Sequence, residues 1–287
     1  MTKTYQTGPP IWCAGCGHFG VQGALQYALK AAGIELHETL VLAGIGCSGT
    51  VQNNIGAYGY HAMHGRVLPT AIGVSLANPD LTVIAAGGDG DGYAIGGGHL
   101  MHALKRNANL LYVVMNNGVY GLTKGQDSPT REIPLAAPEE DPLDAMMLGL
   151  SIRSTTFLAR AITTRSEQLN ELMLMGLHHA REGKGMAFIE VLSPCVTYDD
   201  TYSLWMNKVY DLDADPDYRN DDRGKAFFDL NSLIEQSRIP IGLIYRGEHA
   251  SLQSALLSDL TPFHALEDQH AVRINQHLEE VLSGYAV

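Results

Sequence analysis

The chain has 287 residues, an ordinary globular composition (45% hydrophobic, 17% charged) and a formal net charge of −12. It is long enough to bury a large core, and its negative balance argues against nucleic acid or an anionic membrane surface as its partner. No run approaches the roughly 18 uncharged apolar residues of a membrane-spanning helix. Met1 to Pro10 is polar and lacks the apolar core of a secretory signal, so a cytoplasmic location is expected.

In chain order, His18–Ala32 reads as a helix closed by Gly33, and Leu40–Ile45 as an apolar run ending in Gly46-Cys47-Ser48-Gly49. Pro69–Ala77 is helical up to Asn78-Pro79. Leu81–Ala86 is a buried strand that runs into a glycine cluster, and Ala94–Arg106 is the helix after it. Leu110–Met115 is a second buried strand ending at Asn116-Asn117-Gly118. Asp141–Leu150 and Ser166–Arg181 are helical, and Met186–Leu192 is a third buried strand ending at Ser193-Pro194-Cys195. Residues 125–140 form a polar loop, a candidate active-site loop. Residues 198–223 read as irregular, with one more strand expected at Ile239–Tyr245 and one more helix at Asp268–Leu282. Short apolar strands alternating with helices imply an α/β fold, a doubly wound, mostly parallel sheet. Ligands of such sheets bind at the carboxyl ends of the strands, where the motifs below fall.

The Leu81–Ala86 strand enters Gly87-Gly88-Asp89-Gly90-Asp91-Gly92 ahead of a helix. Glycines let a backbone approach a phosphate, and a helix start supplies N–H groups. Two aspartates there would repel a diphosphate unless a hard cation such as Mg²⁺ lay between. Asn117 follows Asp89 by 28 residues, one strand–helix–strand unit. A tight turn with no ligand is the bland alternative. The spacing is similar to the Gly-Asp-Gly…Asn-Asn signature of thiamine diphosphate (TPP) enzymes. That resemblance implies Asp89, Asn117 and the Val119 carbonyl as Mg²⁺ ligands, with Asp91 toward the diphosphate.

The four cysteines are spaced C-x2-C-x30-C-x147-C: Cys13, Cys16, Cys47 and Cys195. Four thiolates suit Zn²⁺ or a 4Fe–4S cluster, and spacing alone does not choose. Only the first pair is close, and the other two lie at strand ends on the same edge as the glycine cluster, where a redox centre has a reason to sit.

Taken with His64-Gly65-Arg66, the run Tyr120-Gly121-Leu122-Thr123-Lys124-Gly125-Gln126, Ser128-Pro129-Thr130 and Ser193 to Tyr198, these segments resemble the β subunit of the 2-oxoacid:ferredoxin oxidoreductases over about residues 9–200. The resemblance implies a TPP-binding fold, with residues 1–200 as the TPP, Mg²⁺ and iron–sulfur domain. Residues 201–287 are then a C-terminal extension packed on that domain or on a partner. It implies Cys13, Cys16, Cys47 and Cys195 as ligands of one 4Fe–4S cluster. Ile45, Gly46, Cys47, Ser48, His64, Gly88, Gly90, Asp91, Gly121, Leu122 and Thr123 would line TPP, and Lys124 would meet a substrate carboxylate, with His64 as a second candidate catalytic group. The implied reaction is CoA-dependent oxidative decarboxylation of a 2-oxoacid, 2-oxoglutarate to succinyl-CoA being the expected case, with electrons passed to ferredoxin, or the reverse as a CO₂-fixing synthase. Coenzyme A is thus an expected co-substrate. Thr50 departs from relatives that carry a basic residue there.

The chain leaves no room for a second, pyrimidine-binding domain with the glutamate that TPP needs. An α-subunit partner is therefore expected, in an (αβ)₂ assembly. The rival readings are a non-redox TPP decarboxylase or synthase, and a zinc-stabilised binding chain. His99 and His102 read as helix-surface or packing residues, His178-His179 as solvated, His61 as a structural hydrogen-bonder, and Met146, Met147, Met173 and Met175 as core filler.

Overall fold

The computed structural model describes residues 9–131 and 141–256. The first elements are α1 (His18–Ala31), β1 (Thr39–Ala43), β2 (Tyr58–His61), α2 (Val67–Ala77), β3 (Thr82–Gly88), α3 (Gly97–Arg106) and β4 (Leu111–Asn116). A small hairpin follows, β5 (Val119–Tyr120) with β6 (Gln126–Asp127), and then α4 (Ala145–Ser151), β7 (Phe157–Ile162), α5 (Ser166–Arg181) and β8 (Ala187–Leu192). The chain goes on through α6 (Tyr202–Lys208), β9 (Val209–Asp211), α7 (Arg223–Glu235), β10 (Ile239–Arg246) and α8 (Leu252–Leu256). The Asp268–Leu282 helix and residues 132–140 of the polar loop lie outside the described residues.

Eight strands form one sheet in the order β2-β1-β3-β4-β8-β7-β10-β9. Every pair from β2 to β7 is parallel; β10 runs antiparallel to β7, and β9 is parallel to β10. The sheet is therefore mostly parallel, with its direction reversed at one end. Its two faces bury separate cores. Leu111, Val113 and Met115 of β4 point to α1 and α5, while Tyr112 and Val114 point to α2, α3, α4 and α7. With both faces covered, β4 and β8 are buried at every residue, which is why they read as unbroken apolar runs.

Of the strands that sequence reading misses, β7 and β2 are hidden for definable reasons. The β7 run Phe-Leu-Ala-Arg-Ala-Ile is interrupted by Arg160, whose charge is matched by Glu190 on the neighbouring strand and by Asp144. The whole of β2 is exposed at the sheet edge. Residues 198–223, expected to be irregular, contain α6 and β9. The helix after the glycine cluster starts with a π-helical turn, Gly90–Ile95, before α3, a distortion that recurs at functional sites.

At the edge carrying the strand starts, a buried polar knot joins α3, β7 and β8. Asn107 ends α3 in the left-handed conformation, φ 53°. Its Oδ1 accepts from Thr156 Oγ1 at 3.0 Å and from Met186 N at 2.9 Å. Thr156 in turn accepts from His179 Nε2 at 2.9 Å. His179 is buried, not solvated as expected, and burial lowers its pKa to about 4.

Candidate active site

The carboxyl ends of β1, β3, β4 and β8 bring the motifs together. A cavity of about 250 Å³ lies there, lined by every TPP-contact position expected from the sequence: Ile45, Gly46, Cys47, Ser48, His64, Gly88, Gly90, Asp91, Gly121, Leu122 and Thr123. Asp89, Asn117 and Val119 share the same wall, joined by His18, Met115 and Tyr120, which the sequence did not single out. Lys124 does not line it. That residue follows Thr123 in an exposed turn with a left-handed backbone, φ 77°, a strained conformation for a residue with a side chain.

The two aspartates are used differently. Asp91 is buried, and its Oδ1 accepts from Ile45 N at 2.9 Å, His64 Nδ1 at 2.8 Å and Gly65 N at 2.9 Å. It thereby ties the loops after β1 and β2 to the start of the π turn. A Cβ on Gly44 would collide with this carboxylate, so the position tolerates only glycine. The other oxygen, Oδ2, is buried without a hydrogen-bond partner.

Asp89, also buried, accepts from Ser128 Oγ and from Thr130 Oγ1 at 2.7 Å, both on Oδ2. Its Oδ1 receives only a long contact, 3.4 Å, from Asn117 N. Burial raises its pKa despite the two hydroxyls, which pull the other way. A buried carboxylate whose charge is penalised by burial, with one oxygen lightly engaged and an asparagine beside it, is the donor set a hard cation takes. Asn117 Oδ1 accepts from Val119 N at 3.1 Å, and the Val119 carbonyl from Gly121 N at 3.1 Å; each oxygen keeps a further lone pair. These residues fit Mg²⁺, and the glycine-walled cavity beside them fits a diphosphate.

The cysteines gather beside this wall. Cys13 is exposed, whereas Cys16, Cys47 and Cys195 are half-buried. Burial raises the Cys16 thiol to about 11, helped by repulsion from Cys195, Cys47 and Cys13; burial and repulsion from Cys195 and Cys13 also raise Cys47. Cys16 and Cys47 are therefore within electrostatic reach of each other and of both Cys13 and Cys195. Among the described residues, no three His, Cys, Asp or Glu side chains converge as a single-ion site. By their chemistry four thiols suit Zn²⁺ or a 4Fe–4S cluster. The peptides holding them interlock. Gly17 N donates to Pro194 O at 3.1 Å, and a Cβ on Gly17 would strike the Ser193–Pro194 backbone. Trp12 Nε1 donates to Cys47 O at 2.7 Å.

The weaker sequence readings sort out simply. His61 bonds Gln52 Nε2 at 2.9 Å, a structural role, and exposed His99 meets Arg66 at 2.7 Å. Met146 and Met173 are buried in the two cores, with Met147 and Met175 at their margins. Thr50 donates its hydroxyl to Cys47 O at 2.9 Å. Ser128, Thr130 and Asn116 were legible as motif letters, but their bonds to Asp89 and its surroundings depend on a loop folding back.

Fold and cavity define a TPP-binding domain. Residues 44–191 match the thiamine pyrophosphate enzyme C-terminal TPP binding domain, and residues 195–260 match the C-terminal family of the pyruvate ferredoxin oxidoreductase beta subunits. The 2-oxoacid:ferredoxin oxidoreductase subunit beta of Saccharolobus solfataricus is 39% identical over 270 residues, covering 88% of this chain and 86% of the relative. A 2-oxoglutarate synthase subunit KorB of Methanothermobacter thermautotrophicus is 36% identical over 197 residues, 66% of this chain and 67% of that one. The 2-oxoglutarate:ferredoxin oxidoreductase of Magnetococcus marinus, solved with 2-oxoglutarate, coenzyme A and succinyl-CoA bound, superposes with a TM-score of 0.81 at 32% identity, covering 93% of this chain and 89% of that one. This chain belongs to the β subunits of the 2-oxoacid:ferredoxin oxidoreductases, and so is one part of a multi-subunit oxidoreductase. Among the described residues no helix is long and apolar enough to cross a membrane.

Proposed function

We propose that this subunit serves the CoA-dependent oxidative decarboxylation of 2-oxoglutarate to succinyl-CoA, delivering electrons to ferredoxin, with reversal as a CO₂-fixing synthase open to it. The observation that carries the reading is the gathering of four thiols beside the Asp89–Asn117 cavity at one sheet edge. TPP, when bound, supplies a carbanion that attacks the 2-oxo carbon and an electron sink for loss of CO₂. Asp89, Asn117 and the Val119 carbonyl would hold Mg²⁺ against the diphosphate. The glycine backbone around Gly88 and Gly90 lets that group approach, and Ile45, Ser48, Leu122 and Thr123 enclose it. His64, fixed by Asp91 through Nδ1, lines the cavity and would offer its other nitrogen to the substrate. Cys13, Cys16, Cys47 and Cys195 would carry the 4Fe–4S cluster that takes electrons out singly.

For 2-oxoglutarate over pyruvate, the support is Lys124. It follows Thr123 of the cavity lining in an exposed turn, and an ammonium brought to the cavity would suit a substrate with a second carboxylate. A cavity of about 250 Å³ is smaller than the roughly 300–1,000 Å³ of a complete ligand site. That supports an α subunit supplying the pyrimidine wall and its glutamate, in an (αβ)₂ assembly. Free thiols suit a reducing cytoplasm.

Anaerobic co-purification with the α subunit tests the reading. The expected product is brown, contains four irons per αβ pair and one TPP, and reduces ferredoxin faster with 2-oxoglutarate than with pyruvate. Colourless, iron-free and fully active protein would favour the non-redox decarboxylase, and zinc without TPP the binding chain.

A further inference from the structure

Hydrogen bonds behind the cavity converge on Asn116, the last residue of β4, which is buried. Its Nδ2 donates to Glu190 Oε1 at 3.0 Å. Its Oδ1 accepts from Gly118 N at 3.1 Å, and lies 2.9 Å from the Thr130 hydroxyl that also reaches Asp89. Its main-chain oxygen accepts from Ser193 N at 2.7 Å and Ser193 Oγ at 3.2 Å, and that hydroxyl meets His18 at 3.1 Å. One residue therefore touches the turn that carries Asn117, the hydroxyl that orients Asp89, and the segments beside Cys16 and Cys195.

Its amide is held one way round. Turning it over would set oxygen against the Glu190 carboxylate and an N–H against Gly118 N–H. Glu190 is itself immobilised: Oε2 accepts from Arg160 Nε at 2.5 Å, Arg160 Nη2 reaches Asp144 at 2.8 Å, and Tyr93 donates to Oε1 at 2.8 Å. Arg160 and Glu190 are both buried, so the pair is a rigid post rather than a surface contact.

We infer that Asn116 is a positioning residue for the cofactor's metal, and that the buried Glu190–Arg160 pair exists at this edge to fix its amide. The inference rests on the reading of Asp89 and Asn117 as metal ligands. Asn116 touches neither reacting atoms nor metal; it sets the turn and the hydroxyl that do the aiming. Groups that orient metal ligands are worth about ten- to hundredfold in metal affinity.

The test is a Mg²⁺ titration of TPP binding to the assembled αβ complex, read by calorimetry and tryptophan fluorescence without turnover. Asn116→Ala should raise the Mg²⁺ concentration for half-saturation about ten- to hundredfold. Asn107→Ala, which removes the equally buried asparagine at the opposite edge, should lower the melting temperature yet leave that concentration within about twofold of wild type. If Asn116→Ala does not assemble, Asn116→Asp keeps the shape but opposes Glu190 with a carboxylate, and the same shift is expected. An Asn116 variant within about threefold of wild type, or an equal shift in Asn107→Ala, overturns the inference alone. Wild-type complex that binds no TPP at any Mg²⁺ concentration overturns both the inference and the cofactor reading beneath it.

Discussion

Two asparagines end neighbouring elements at opposite edges of the sheet, and their surroundings differ in kind. Asn107 is enclosed by neutral groups: Thr156, the Met186 amide and, at 3.4 Å, the carbonyls of His249 and Ala250. Asn116 is surrounded by buried charge: Glu190, Arg160 and, through Thr130, Asp89. The first knot holds the chain together and leaves only neutral atoms, such as His179 Nδ1, buried without a hydrogen-bond partner. The second leaves acceptors lightly used or unused, Asp89 Oδ1 and Asp91 Oδ2. Burying charge costs free energy unless something completes it, so the second edge is shaped for something the chain alone does not provide.

The sharpest way to break this contrast is Asp89→Asn. Metal-supported TPP binding should fall by more than the roughly hundredfold upper range for a supporting residue. The melting temperature of the cofactor-free chain should not drop, since a buried ionised group is replaced by a neutral amide. Equilibrium dialysis and a thermal scan read the two effects; a lower melting temperature with unchanged binding would reverse the roles given to the two edges.

Cys195→Ser comes next. The variant should lose ferredoxin reduction and visible absorbance while still binding TPP with Mg²⁺ at wild-type affinity. Retention of full ferredoxin activity would detach the thiols from electron transfer.

At the other edge, Asn107→Ala should cost about 2–3 kcal/mol, because it strands a buried amide and hydroxyl and removes a residue suited to φ 53°. Urea unfolding measures this, and a cost below about 0.5 kcal/mol would show the knot to be dispensable.

The smallest effect is one of pH. Burial lowers both His18 and His179 to about 4. The unfolded chain, with histidines near 6.5, binds more protons than the folded one in that interval, so stability is full above pH 6.5 and declines toward pH 4. Each histidine contributes on the order of 1–3 kcal/mol at the lower limit. Urea midpoints at several pH values should show the decline, and His179→Gln should flatten part of it. An unchanged slope would place the charge-free pocket elsewhere.

Sequence and structure agree best where the contrast between edges is least. The β4 and β8 runs were legible because strands buried on both faces carry no polar interruption. Asp89 and Asn117 were legible because one strand–helix–strand unit fixes their spacing. What stayed hidden depends on pairing across the sheet. Arg160 makes β7 look unlike a strand until Glu190 is seen opposite it, and His179 looks solvated until Thr156 is placed against it. Ser128 and Thr130 can be read as a motif, but no local pattern says that a loop brings two hydroxyls onto one carboxylate oxygen. Sequence periodicity reports what an element buries, and the polar bonds that organise this site are made between elements.

The seating of Gly17 against the Ser193–Pro194 peptide carries one more consequence. Two stretches of chain separated by most of the fold are spaced like the jaws of a closed clamp by the protein's own backbone. The separation of the peptides that carry Cys16 and Cys195 is thereby set by main chain against main chain, a spacing that no side-chain rotation can loosen.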